Sequence, residues 1–275
     1  MGLRVSTNVP SLVAVRNLEK NSQEVSKSFA RLSSGSRFTS AGDDAAALTI
    51  SSKLEAEVRG LRQAARNAND GVSLVQTAEG ALNEVGNLLI RLRELGVQAA
   101  SDTLGDAERG FLDQEYQQLK AEVDRISQVT SFNGKPLLNG SVSELDFQVG
   151  AHKGAANVIK FNGSDNAATV SYLGIGGASV VTKDDATDSL EVIDSALGKV
   201  NASRAELGGL QNRLHSAVSA NALYMENLAS TRSRMADTDV AEESSQLVKG
   251  LILQNAGVAV LAQANQSPNA ALKLL

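Results

Sequence analysis

Cysteine is absent from this chain. Disulfides, thiolate catalysis and Cys-ligated metals are therefore excluded. Histidine occurs only as His152 and His215, so one chain cannot assemble a multi-histidine metal site. Tryptophan is missing too, and six Phe and three Tyr are all the aromatics in 275 residues. A large enzyme normally anchors its core and pocket with more rings. No run of about 18 apolar residues reads as a membrane span, so no membrane is expected. Met1–Lys20 holds no apolar core of about 7–15 residues and no small-residue cleavage site, so no cleaved secretory signal is expected. The net charge of -5 argues against a nucleic-acid partner, which calls for a basic face.

Proline is scarce as well, and its placement divides the chain. Pro10, Pro136 and Pro268 are the three, so nothing breaks a helix between them. Two long helical arms are expected, flanking a middle region. In the first arm Leu54, Val58, Leu61, Ala65, Ala68, Val72 and Val75 alternate steps of four and three. A three-residue slip follows, then Ala78, Leu82, Val85, Leu89 and Leu92 resume the pattern. This is the seam of a helix packed lengthwise on other helices, with a stammer in it. One helix over 44–98 would be about 80 Å long, which predicts a rod. Asp43-Asp44 stands before it as a cap. Leu112, Tyr116, Leu119, Val123 and Ile126 mark a second helix, antiparallel to the first across the short loop Ser101–Asp106.

The second arm mirrors the first. Leu190, Ile193, Leu197, Val200, Leu207, Leu214, Val218, Met225, Leu228 and Met235 share a face, interrupted by Arg204 and Gln211. Asp237–Asp239 reads as a break before a last helix, roughly Val240–Asn265. Its stretch Leu247–Asn265 is apolar nearly all round, yet holds Lys249, Gln254 and Asn255. Such a helix is buried on all sides or sits in a membrane, and these polar residues argue against the membrane. Too little else in one chain could cover it, so other copies should. Leu251 and Leu261, ten residues apart, are expected on one stripe. Residues 1–42 carry six basic and two acidic side chains, and 237–275 carry four acidic and two basic. The two ends are thus complementary and could pair as a coiled coil, each exposed ion pair adding only about 0–1 kcal/mol.

The middle region, roughly 131–182, changes period. Asn133-Gly134 is a hairpin dipeptide. Leu145, Phe147 and Val149 alternate with polar residues, as do Asn157–Phe161 and Thr169–Leu173. Three to five short strands are expected.

Chemistry-bearing motifs are few. Asp43-Asp44 as a metal pair gives way to the cap reading. Gly174-Ile175-Gly176-Gly177 lacks the Lys-Ser/Thr that follows a phosphate loop and reads as a turn. No HExxH pair exists, and Ser203 and Ser216 have no evident base. No catalytic residue, cofactor or metal is expected.

RLSSG at Arg31–Gly35 and AGDDAA at Ala41–Ala46 resemble the N-terminal signature of bacterial flagellins. So do Asn67–Leu82, Arg91–Ala100, Thr130–Leu138 and Phe147–Ala151. Arg204–Leu214, Glu226–Glu243 and Ile252–Leu275 resemble the family's C-terminal region. The resemblance implies a mainly α fold: a long antiparallel coiled-coil or helical-bundle rod with a small β-hairpin region, its terminal helices paired. Residues 1–42 with 237–275 would form the inner, lumen-lining domain. Residues 43–236 would form the rod, with hairpins near 131–182 and no variable outer domain.

The implied function is a structural subunit that polymerises with many copies of itself into the flagellar filament outside the cell. Export, unfolded, would run through the flagellar type III apparatus, on an uncleaved signal within Asn21–Ala46. The implied partners are that apparatus, a secretion chaperone, the filament cap and hook-junction proteins. Polymerisation and chaperone binding would use Leu247, Leu251, Ile252, Val258 and Leu261. The family is also recognised by an innate immune receptor of animals; the matching positions are Arg91, Leu95 and Glu115. Here Ile90 stands where Gln is common and Gly96 where Ala is usual. A hook-filament junction protein is the alternative within the family. A filament-bound metalloprotease lacks both its HExxH and the room for an insert.

Overall fold

Several helices begin or end where a side chain or a glycine can satisfy the backbone groups a helix leaves open. The computed structural model describes residues 7–272, with side chains through Gln266. Helix α1, Val9–Ser34, opens on Asn8, whose carbonyl accepts from Ser11 N at 3.2 Å, and closes on Gly35 at φ 67°. Helix α2 runs unbroken over Ala45–Ala99, as the seam predicts. Asp44 caps it, accepting from Ala47 N at 2.9 Å. Helix α3 is Asp106–Val129.

The middle region holds two antiparallel hairpins: β1, Ser131–Phe132, with β2, Lys135–Pro136, and β3, Glu144–Gln148, with β4, Val158–Asn162. Asn133 at φ 49° and Gly134 at φ 77° make the left-handed two-residue turn between β1 and β2. The expected strand at Thr169–Leu173 is instead a short helix, α4, Val170–Leu173. The Thr169 hydroxyl accepts from Tyr172 N, and Gly174 at φ 82° closes the turn. Caps at both ends override a two-residue alternation only five residues long.

Helix α5 spans Lys183–Ala236, opened by Thr182 and Asp185, which cap one another reciprocally. Helix α6 is Val240–Leu272. Asp239 starts it by accepting from Ala241 N and Glu242 N, so the expected break at Asp237–Asp239 is the helix cap itself.

Packing divides the chain into two units. One contains the chain ends, 1–56 and 227–275, and the other is 57–226. The divisions fall inside α2 and α5, inward of the expected bounds at 42 and 237. The outermost residues of the expected terminal domain, 1–6 and 273–275, lie outside the described residues.

In the larger unit α2 is the central element. Ala68, Val72, Val75, Ala78, Leu82, Val85, Leu89 and Leu92 are buried, and the three-residue step from Val75 to Ala78 leaves the buried stripe continuous. Helix α5 lies antiparallel to it: Gly96 approaches Leu190, Arg93 pairs with Asp194, and Gly71 approaches Leu214. Helix α3 is also antiparallel, with Arg91 bonded to Glu115 and Arg109 to the end of α2. The β3 end of the second hairpin is tied to both long helices, through Asn67 Nδ2 to Gln148 O and Asn221 Nδ2 to Val149 O.

Two buried cations fix the loops. Lys120 donates to Gly176 O and Ala178 O, both at 2.8 Å, and burial lowers its pKa. It holds the segment after Gly174 on α3. Arg109 donates to Ala99 O at 2.9 Å and Ser101 O at 3.0 Å, closing the C-terminus of α2 from the next helix. Arg109→Leu should leave those carbonyls unpaired and cost about 1–3 kcal/mol. Arg93→Ala removes only an exposed pair and should cost about 0–1 kcal/mol. Thermal unfolding of both variants checks the ordering; equal shifts would contradict the capping role.

Candidate assembly surface

Helices α1 and α6 make their pair along a heptad seam of small and polar residues. Ser11, Ala14, Leu18, Asn21, Val25, Ser28, Arg31 and Leu32 are the buried and half-buried positions of α1. Glu243, Ser244, Leu247, Gly250, Gln254, Gly257, Leu261 and Ala264 are those of α6 through Gln266. The pairing is antiparallel: Asn8 Nδ2 reaches Ala264 O at 2.8 Å, Asn21 Nδ2 reaches Gly250 O at 2.7 Å, and Arg31 pairs with Glu243 at 3.5 Å. A Cβ at Gly250 would lie 2.6 Å from Val25 Cγ2, and one at Gly257 3.2 Å from Leu18 Cδ1. The helices therefore touch backbone to side chain at these two glycines, seven residues apart on one stripe.

This seam covers little apolar surface. Leu247 and Leu261 face α1 and are half-buried. Leu251, Ile252 and Val258 point elsewhere; Leu251 is 38% exposed and Ile252 61%. Val248, Leu253 and Val260 are exposed beside them, as are Val9, Leu12 and Val13 on α1. The expected Leu251–Leu261 stripe is corrected by this geometry. Ten residues turn a helix about 1000°, some 80° short of three turns, so the two leucines lie on different faces. The stretch Val240–Gln266 is long and apolar enough to cross a membrane by length and composition alone, which corrects the expectation that no run qualifies.

The loops joining the helices of this unit are laced together. Ser36 bridges Asp237, with Arg37 N donating to Ala236 O at 2.7 Å and Thr238 N to Gly35 O at 3.0 Å. Asp43 accepts from Thr39 N, Ser40 N and the Thr39 hydroxyl. These bonds, the Thr39 amide foremost, hold its pKa below the usual carboxylate value. Neither Asp43 nor Asp44 is free for a metal; each is a local cap.

Arg91 and Glu115 meet on the larger unit as an exposed pair at 2.8 Å, with Glu94 also on Arg91. Leu95 does not join them at the surface. It is fully buried in the core, so a partner reaching this face meets Arg91, Glu115 and the exposed Ile90. Gly96 is set by packing, since an added Cβ would meet Leu190 Cδ2 at 3.0 Å. His152 is exposed and sits 3.1 Å from Glu57, which also accepts from Tyr224 OH. Gly174–Gly177 is a turn around buried Ile175. Among the described residues no group of His, Asp and Glu is placed to hold a metal.

The profile of the bacterial flagellin N-terminal helical region matches residues 5–143, and that of the flagellin C-terminal helical region matches 190–275. The chain belongs to the flagellin family. A flagellin of Halalkalibacterium halodurans is 40% identical over 271 residues, covering 98% of this chain and 99% of the relative. A flagellin of Bacillus subtilis is 38% identical, covering 99% and 100%. The crystal structure of Bacillus cereus flagellin superposes with a TM-score of 0.50 at 30% identity, over 57% of this chain and 88% of that one.

Flagellins are the structural subunits of the flagellar filament, which lies outside the cell, and these relatives lend no support to the junction-protein alternative. The α1–α6 glycines were not singled out from the sequence, although their seven-residue spacing on an otherwise apolar helix was the available signal. Gly250→Ala tests the close approach. Alanine raises helix propensity by about 1 kcal/mol, so any loss must come from the seam, where overpacking costs about 1–3 kcal/mol. The variant should raise the critical concentration for polymerisation, and Val25→Ala should restore it. Better polymerisation by Gly250→Ala alone would mean the helices do not meet there.

Proposed function

We propose that the terminal unit is completed only by neighbouring copies, as the innermost, lumen-lining layer of a flagellar filament. The observation that carries this is the unmatched surface of α6. Its seam with α1 uses Leu247 and Leu261, while Leu251, Ile252 and Val258 remain for other chains. A contiguous exposed apolar face of this kind marks an interaction surface in a soluble protein.

The same face explains why the subunit needs handling before assembly. The chain travels unfolded through the flagellar type III export apparatus, on a signal within Asn21–Ala46. A secretion chaperone covers the α6 face in the cytoplasm, and the filament cap receives the chain at the growing tip. A chain without cysteine suits this passage, since no disulfide can form before or after export. In the free subunit the ends are largely unfolded, because ordering them without burying their apolar residues is unfavourable. The chain acts as a structural element and not as an enzyme. Arg91 and Glu115 serve first in contacts between subunits; an innate immune receptor would meet this same surface.

Ile252→Asp tests the reading directly. Ile252 points away from α1, so the change leaves the intrachain seam intact. Buried between subunits without a partner, the carboxylate would cost several kcal/mol in every subunit. Sedimentation should find no filaments, while the thermal transition of the larger unit is unchanged. Normal filaments from this variant would mean that the outer face of α6 is solvated in the polymer.

A further inference from the structure

Phe111 is 70% exposed, more than any other large apolar side chain among the described residues. It sits in the second turn of α3, outside the helix's packing stripe of Leu112, Tyr116, Leu119 and Val123. Gly110 beside it opens onto free space. A single exposed ring is ordinary on its own. Its counterpart makes it informative. An open groove of about 700 Å³ lies over α2 between the β1–β2 hairpin and β3. It is lined by Leu74, Phe132, Leu145 and Phe147, with Asp70, Asn133, Lys135 and Asp146 as its polar residues.

Knob and groove belong to opposite ends of α3. Phe132 follows Phe111 by 21 residues, most of them helical, or roughly 30 Å. Phe111 cannot reach the groove of its own chain. A contact joining two different surfaces of one molecule is heterologous, and when its rotation does not close it propagates as an open helical polymer. The charges agree. Glu108 precedes Phe111 by three residues and shares its face, and Lys135 is the cation of the groove lining. Among the described residues neither Glu108 nor Lys135 makes an ion pair.

We propose that Phe111 of one copy seats in the Leu74–Phe132–Leu145–Phe147 groove of the next, with Glu108 of the first meeting Lys135 of the second. The inference rests on the filament reading and adds to it a named contact between copies through the larger unit, separate from α1 and α6.

The absence of cysteine allows a direct test. Phe111→Cys and Asp70→Cys, each at an exposed position, are made in separate chains and copolymerised. Mild oxidation of the filaments should give disulfide-linked dimers of one chain of each kind, absent from the unpolymerised mixture. Burying a phenylalanine corresponds to about ten- to hundredfold in affinity. Phe111→Ala should therefore raise the critical concentration by about that factor without moving the unfolding temperature. Lys135→Glu should raise it as well, and Glu108→Lys in the same chain should bring it back. Parent protein that forms filaments, with Phe111→Ala unaffected and no crossed dimers, would overturn this contact alone. Parent protein that forms none would overturn the filament reading and this contact with it.

Discussion

Gly250 and Val25 come so close that no side chain fits between them, and the two helices they join share an interface of Ser, Ala, Asn, Gln and Gly, the Arg31–Glu243 pair and a few larger aliphatics. That seam defines a partner and a register. It does not bury the apolar surface that α1 and α6 carry. At about 25 cal/mol per Å², what drives helices together is the area removed from water, and most of theirs stays outside the seam. Ile252, Val248 and Val260 on one helix and Val9, Leu12 and Val13 on the other have nowhere to go within the chain. On the proposed reading, a subunit built this way is stable in company and marginal alone.

The larger unit follows the opposite rule. Its α2 stripe from Ala68 to Leu92 is buried against α3 and α5, and the loops that close it are held by buried Arg109 and Lys120. Its exposed pairs, such as Arg91 with Glu115, lie where a neighbour could exchange them at little cost. Two units of one chain thus divide the work. On the proposed reading, one is self-sufficient and the other is finished by assembly.

Much of this was legible in the sequence, because long heptad patterns specify helix length and packing face with many residues. Leu82, Val85, Leu89 and Leu92 were expected inward and are buried. The Asn133-Gly134 turn and the Asp43-Asp44 cap were equally plain, since each rests on the local chemistry of one or two side chains, whereas Asp237–Asp239 read only as a break. Thr169–Leu173 was misread because a five-residue alternation says little beside a threonine cap and a glycine stop. The division of the α6 face was hidden for a different reason. A helix apolar on all sides has no period, so only the spacing of Gly250 and Gly257 could have shown which stripe meets α1. Lys120 and Arg109 were invisible because a long cation reaching a loop carbonyl leaves no pattern in sequence.

Amide hydrogen exchange compared between free subunit and filament tests the central claim most directly. Amides of α1 and α6 should exchange rapidly in the free subunit and be strongly protected in the filament. Those of the buried stretches of α2 and α5 between 57 and 226 should be protected in both. Protection of α1 and α6 in the free subunit equal to that of the α2 core would contradict the account, because the seam would then suffice without neighbours.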